Sequence, residues 1–291
     1  MIRCLLGLLF ALTLYGSTHI IILGDPHLPG KHLDKKENVL EQINTWSDVD
    51  SVVAMGDLCS LTGTEEEYAS VKAYFSKLNK PLHVITGNHD FIYADALDSN
   101  GKFQHAPHEL QEIKLKRFQE TFHLPKLYYS VMKEHYLLLF LSADNPSHLA
   151  ELSSEQLEWF ENELRSHPKI PTIVFFHAPL DHTLESYNHW ANTPNFVAQP
   201  KEKLHQIIVS NPQLFLWISG HTHTSPKEPS FASPINQYEQ VMNIHNTDMN
   251  KETIWTNSLY LEENFVRIKT YDHTQKIWID SLERVITKPK I

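Results

Sequence analysis

With 291 residues, 41% of them hydrophobic, the chain carries enough apolar material for one large core or at most two small ones. A formal net charge of -10 excludes a protein that clamps a phosphate backbone through clustered Lys and Arg, so long nucleic acid is not an expected partner. Histidine is the outlier: 19 residues is about three times the ~2% of an ordinary soluble chain, an enrichment that suits metal ligation or proton transfer.

Met1, Ile2 and Arg3 lead into an apolar run from Cys4 to Tyr15 that closes on the small residues Gly16, Ser17 and Thr18. This is the shape of a secretory signal peptide. Residues 1–18 are read as that signal and 19–291 as a single domain that is secreted or periplasmic. The alternative is an uncleaved apolar segment packed on the domain. The run is too short for a stable membrane span, and extending it through Ile20, Ile21 and Ile22 would consume the first strand. Cys59 is the one cysteine beyond the signal, which leaves no intrachain disulfide.

Along the rest of the chain, His19 to Leu23 is a short β-branched run ending in Gly24-Asp25, and a helical pattern follows from Val39 to Trp46. Ser51 to Met55 repeats the strand signal and ends in Gly56-Asp57. Thr64 and Glu67 then form a capping box ahead of Tyr68, Val71, Phe75 and Leu78 on one helical face. Leu82 to Thr86 ends in Gly87-Asn88, and Glu109 to Phe122 reads as a helix. Tyr128 to Leu141, broken at Lys133-Glu134, reads as a hairpin. Ser153 and Gln156 repeat the cap signal before Leu157, Phe160 and Leu164. Thr172 to Phe176 ends in His177, Glu202 to Val209 is helical, and Leu214 to Ser219 ends in Gly220-His221. Thr253 to Leu282 reads as an antiparallel hairpin turning at Asp272-His273-Thr274. Uninterrupted apolar strands suit a sheet covered on both faces, and crossovers of about thirty residues imply right-handed βαβ units. The fold class is therefore α/β, a largely parallel core with added antiparallel strands and no linker that marks a domain boundary.

All five polar clusters stand at the C-terminal ends of predicted strands, where loops converge and ligands bind in open α/β sheets. Asp25-Pro26-His27, Gly56-Asp57 and His177 are each unremarkable alone. Gly87-Asn88-His89-Asp90 and Gly220-His221-Thr222-His223 are more specific, because two histidines spaced by one residue after an apolar strand have few structural uses.

The order D-x-H, G-D, G-N-H-D, H and G-H-x-H resembles the calcineurin-like metallophosphoesterase superfamily from about Ile20 to the final strands. The resemblance implies a four-layer αββα sandwich with mixed sheets. It also implies that Asp25, His27 and His223 bind one metal ion, that Asn88, His177 and His221 bind a second, and that Asp57 bridges the two. His89 would assist the leaving group or the phosphoryl oxygens, or else only orient Asn88; Asp90 would orient His89 or simply end the strand turn. Ser60 stands where the purple acid phosphatase branch has a tyrosine, so a tyrosinate-ligated ferric centre is not expected. Leu58 to Gly63 and Asp90 also differ from the Asp-Arg-Gly and Glu of the protein phosphatase branch. The pattern is more similar to small bacterial phosphodiesterases acting on cyclic nucleotides or glycerophosphodiesters.

Imidazole, carboxylate and amide ligands without thiolate suit two divalent ions such as Mn, Fe, Zn or Co. Such a pair, about 3.5–4 Å apart, can generate hydroxide at neutral pH and stabilise an in-line displacement. A small phosphorylated substrate, monoester or diester, is the expected partner. A non-catalytic metal-binding module on the same fold and a superfamily nuclease are the competing readings. The stretches from Phe91 to Pro107 and from Pro179 to Pro200, the latter with His182, Tyr187, His189, Trp190 and Asn192, are candidate lids or plain surface excursions.

Overall fold

A computed structural model describes residues 17–185 and 190–291. The expected signal up to Gly16, together with Tyr187 and His189, lies outside the described residues. The first half runs through β1 (Thr18–Leu23), α1 (Leu33–Thr45), β2 (Val49–Ala54), α2 (Glu65–Phe75), β3 (Leu82–Val84) and α3 (His108–Phe122). It continues with β4 (Tyr129–Lys133), β5 (Tyr136–Phe140), α4 (Ser154–Ser166), β6 (Thr172–Phe175), α5 (Lys201–Ser210) and β7 (Leu214–Ser219). Further strands close the chain: β8 (Gln237–Tyr238), β9 (Val241–His245), β10 (Trp255–Leu261), β11 (Phe265–Asp272), β12 (Ile277–Trp278) and β13 (Arg284–Thr287).

Two mixed sheets result. One has the order β12-β11-β10-β1-β2-β3, with β13 also pairing β11; the other has the order β4-β5-β6-β7-β9-β8. Strands β1, β2 and β3 are parallel, as are β5, β6, β7 and β9, while the hairpin strands join antiparallel. The period-two alternation of each buried strand separates its side chains into two cores. Ile20 and Ile22 of β1, Val53 of β2, Leu138 and Phe140 of β5, and Ile173 and Phe175 of β6 point between the sheets. Their neighbours Ile21, Leu23 and Val52 pack outward with Val39, Leu40, Val71 and Phe118 of α1 to α3. Leu137, Leu139 and Val174 pack outward with Phe160, Leu164, Leu204 and Ile208 of α4 and α5. The layers are thus helix, sheet, sheet and helix, the four-layer αββα sandwich that the sequence resemblance implied.

Local signals hold in detail. Thr64 caps α2 with the reciprocal Glu67 box, and Ser153 accepts from the Gln156 N–H at the start of α4. Gln156 does not complete that second box; its side chain is buried against the Ser142 N–H and carbonyl. The C-terminal hairpin turns earlier than expected, at Glu262-Glu263-Asn264, with Leu261 opposite Val266. Asp272-His273-Thr274 is a second turn, in which Asp272 Oδ1 accepts from the Thr274 and Gln275 N–H groups before β12. The reversal falls where Glu-Glu-Asn interrupts the inward-facing Leu259, Leu261, Val266 and Ile268. No helix among the described residues is long and apolar enough to cross a membrane.

Candidate metal centre

The loops after β1, β2, β3, β6 and β7 bring all seven predicted ligands together at one edge of the sandwich. Ligand atoms of Asp25, His27, Asp57 and His223 lie within 4.8 Å of one another, as do those of Asp57, His177 and His221, so Asp57 belongs to both groups. Asn88 joins the second group through Oδ1, 3.2 Å from His177 Nε2. Close approach of the loops depends on glycine. A Cβ on Gly220 would lie 2.0 Å from Asp25 Oδ1, and one on Gly87 would lie 2.3 Å from Asp57 Oδ1. Four of the seven residues, His27, Asp57, His221 and His223, hold left-handed backbone with φ between 46° and 63°. That region is costly for residues with a Cβ and clusters at functional sites.

Hydrogen bonds around the rim fix which atoms face inward. His177 Nδ1 lies 2.7 Å from the Met55 carbonyl and His221 Nε2 lies 2.7 Å from the Asn195 carbonyl. Carbonyls only accept, so those nitrogens carry the protons and the opposite ring nitrogens present lone pairs. His27 Nδ1 faces the Cys59 carbonyl at 3.4 Å, and His223 Nδ1 meets Asp248 Oδ2 at 2.8 Å. The Asn88 amide donates through Nδ2 to Tyr93 Oη at 3.1 Å, which turns Oδ1 to the centre. Inside, acceptors crowd one another: His27 Nε2 is 3.2 Å from His223 Nε2, and His221 Nδ1 is 3.0 Å from His177 Nε2. His223 Nε2 is also 3.0 Å from Asp25 Oδ2, and His177 Nε2 is 3.3 Å from Asp57 Oδ2. With the imidazoles neutral, donors point out and lone pairs point in, the arrangement that a pair of cations satisfies.

Electrostatics agrees. Burial works to lower His177 and His223, yet the carboxylates overcome it: Asp57 draws His177 up to about 9, while Asp248 and Asp25 draw His223 up to about 10. Where the metal-free site attracts protons, divalent ions would supply the same charge. His27 and His221 are pushed down to about 4, chiefly by burial.

The two candidate catalytic residues part company. His89 donates its backbone N–H to Asp57 Oδ1 at 2.8 Å, and its ring lines a cavity of about 310 Å³ with Asp57, Asn88, Tyr93, His221 and His223. Asp90 is fully buried, and its carboxylate accepts from the Cys59 and Gly87 N–H groups at 2.9 and 2.8 Å. Burial, reinforced by Asp57, raises that carboxyl to about 7. Of the two readings of Asp90, a link to the His89 ring is not formed, since His89 Nδ1 lies 2.6 Å from the Leu61 carbonyl. Asp90 ties the second and third ligand loops together.

Sequence reasoning missed Asp248 and Tyr93 as supports of the ligands. Asp248 follows β9, whose Val241 to His245 run ends in Asn246-Thr247-Asp248, the same strand-then-polar signal as the five clusters. Of the two candidate lids, 179–200 contributes Trp190, Ala191 and Phe196 to the cavity and Asn195 to His221, while 91–107 contributes Tyr93. His182 instead pairs with Asp181, and Asn192 Nδ2 donates to the Leu184 carbonyl within the loop.

Comparison with known proteins places this geometry. The sequence profile of the calcineurin-like phosphoesterase family matches residues 18–225. A probable glycerophosphodiester phosphodiesterase of Arcobacter nitrofigilis is 29% identical over 45% of this chain and 42% of its own length. A 3',5'-cyclic-nucleotide phosphodiesterase of Nostoc sp. is 26% identical over 60% of this chain and 56% of its own. The match thus spans about half the length of these relatives. Among solved structures, a dimetal phosphatase from Danio rerio aligns with a TM-score of 0.63 at 14% identity, covering 94% of this chain and 99% of that one. A purple acid phosphatase from yellow lupin seeds aligns with a TM-score of 0.65 at 16% identity, covering 94% of this chain and 54% of that one. These two likenesses are of fold. With the profile lying on the strands and loops that carry all seven converging residues, the chain belongs to the calcineurin-like phosphoesterase family.

Proposed function

We propose that this protein is a metal-dependent hydrolase of small phosphoesters, monoester or diester, working on two divalent ions. The observation that carries the reading is the inward convergence of lone pairs on His27, His177, His221, His223 and Asn88 around the carboxylates of Asp25 and Asp57. Asp25, His27 and His223 would hold one ion, Asn88, His177 and His221 the other, with Asp57 shared. Two such ions lower the pKa of water and offset the charge that builds on a phosphoryl group. The chain's own residues do the remainder. The His221 N–H, 3.0–3.1 Å from both Asp25 oxygens, and the His89 N–H on Asp57 hold the carboxylates in place. With Nδ1 2.6 Å from the Leu61 carbonyl, the His89 ring has Nε2 left to serve a departing oxygen. The relatives' names, a glycerophosphodiester and a cyclic-nucleotide phosphodiesterase, support diesters as substrates to try first.

The test is turnover of bis(p-nitrophenyl) phosphate and p-nitrophenyl phosphate by chelated and by Mn-, Zn-, Co- or Fe-loaded protein, beside metal analysis. Two ions per chain with metal-restored turnover is the expected result. Two ions with no turnover of any ester would make the chain a non-catalytic metal-binding module, and failure to bind metal would overturn both.

A further inference from the structure

Tyr93 differs from Asp248, the other support of a ligand, in that its side chain also lines the cavity over the metal centre, beside Asp57, Asn88 and His89. The backbone there is pinned from below. Lys114 Nζ, itself fully buried, donates to the Tyr93 carbonyl at 2.6 Å, and the Ile92 N–H donates to the Asn88 carbonyl at 3.0 Å, which folds the segment back on the third ligand loop. Phe103 and His89 pack on the ring, centroids 4.6 and 5.1 Å away, so the group left to act on a guest is the hydroxyl. That hydroxyl uses only half of its capacity. A phenol both accepts and donates, and the bond it makes among the described residues is an acceptance, from Asn88 Nδ2 at 3.1 Å. The same amide turns Oδ1 toward His177 Nε2, so the tyrosine oxygen stands one amide width from the second metal position with its own proton uncommitted. Hydrogen bonds in a chain reinforce one another. An Asn88 engaged through Oδ1 donates more strongly through Nδ2, and the phenol that accepts becomes a better donor. A fixed, neutral donor beside the floor where a phosphoryl group would rest meets charge that grows on oxygen without having to rearrange.

We infer that Tyr93 is a further catalytic residue, whose O–H donates a hydrogen bond to a phosphoryl oxygen of the bound ester. The proton stays on the tyrosine, which gives polarity and not a proton to the reaction. This rests on the phosphoester reading above, and the experiment separates the two. Orthophosphate is titrated by calorimetry into wild type and Tyr93→Phe, each at a Mn concentration that metal analysis shows to fill both positions. Phenylalanine keeps the ring between His89 and Phe103 and removes the oxygen alone, so the variant folds. Its phosphate Kd is expected to rise about tenfold, and its kcat for bis(p-nitrophenyl) phosphate to fall about 10–100-fold, the range for losing a hydrogen bond to a charged group. The kcat loss for p-nitrophenyl phosphate, which shares the leaving group, should be smaller, because the oxygens of a monoester are fully charged from the outset and gain no charge in a loose transition state. A tyrosine that only positions Asn88 would show itself in the metal instead: the variant would need more Mn to fill, and once filled would match wild type in phosphate affinity and in both kcat values. That result overturns the inference and leaves Tyr93 as a support of Asn88. No phosphate binding by wild type with both ions in place would overturn the phosphoester reading beneath it.

Discussion

At the scale of the residue, the seven metal-binding candidates were legible because each follows an apolar strand, and because His-x-His and Asn-His-Asp have few uses in a packed core. What supports them was not legible, since hydrogen bonds to His221 and His223 come from Asn195 and Asp248, 26 and 25 positions away along the chain. Asp248 is held well below the usual carboxylate range; burial opposes this, but the bonds to His223 and Lys251 prevail. Asp248→Asn should therefore weaken the ion bound by Asp25, His27 and His223 by about 10–100-fold, the usual cost of losing a ligand's partner. Competition with a fluorescent chelator reads this, and undiminished affinity would remove Asp248 from the site. Asp57→Ala should deplete both ions, whereas His27→Ala should deplete chiefly one, as metal stoichiometry on the purified variants will show. His89→Ala should keep both ions and lose about 10²–10⁴-fold in kcat. The loss should be greater for an alkyl ester, whose alkoxide needs a proton, than for a nitrophenyl ester; parallel loss of metal would place His89 in the metal shell instead.

At the scale of the element, strands were easier to find than helix starts. Helix α1 begins at Leu33, ahead of the expected Val39, a start hidden by Lys35 and Lys36 in its first turns, which read as solvent-facing. Lys36 is in fact fully buried on the same face as Val39, Leu40 and Ile43. Its Nζ donates to the His27 carbonyl and to Asn250 Oδ1, both at 2.7 Å, so the helix reaches under the first ligand loop and fixes it. Burial lowers Lys36 to about 7. Lys114 of α3 does the same for the neighbouring loops through the Thr62 and Tyr93 carbonyls, both at 2.6 Å. Periodicity assigns such lysines to the surface, because pattern alone does not reveal carbonyls waiting inside. Lys36→Met should cost about 2–3 kcal/mol, the order expected when a charged donor is lost and its buried acceptors are left bare. A urea midpoint lowered with unchanged slope would report it, and a change below about 0.5 kcal/mol would show that the loop stands without the lysine.

At the scale of the whole molecule, two sheets face each other so that β1, β2 and β3 of one and β6 and β7 of the other deliver their polar ends to a single edge. That delivery followed from the strand-then-polar pattern, but which strands share a sheet did not, because pairing between strands far apart in sequence, such as β1 with β10, leaves no mark on either strand's own pattern. Strand β1 begins at Thr18, so cleavage ahead of it leaves the sheet whole. We propose export, which rests on Arg3, the apolar run and the small residues behind it; protein recovered from its native host should begin at Ser17 or Thr18, and an intact Met1 would overturn it.

Two buried histidines that are not among the candidate ligands contribute to how the molecule responds to acid. His245, at the end of β9, is fully buried with Nε2 3.1 Å from the Thr183 carbonyl, and His273 lies under Thr256 and Gln42. Burial pushes both from an ordinary 6.5 down to about 3. Between those values the unfolded chain binds two protons that the folded chain refuses, so stability is intact above pH 6.5 and drains away as the pH falls toward 3. Each proton steepens the fall by about 1.4 kcal/mol per pH unit. Metal ligands titrate in the same range, so the informative quantity is a difference between two proteins that share them. His273→Gln keeps an amide in reach of Thr256 and Gln42 but has no proton to take up. Urea unfolding from pH 7.5 to 4.5 should show the variant losing stability more slowly than wild type, the curves converging or crossing as the pH falls. Parallel curves would mean that His273 protonates in place and that its burial does not govern the acid limb.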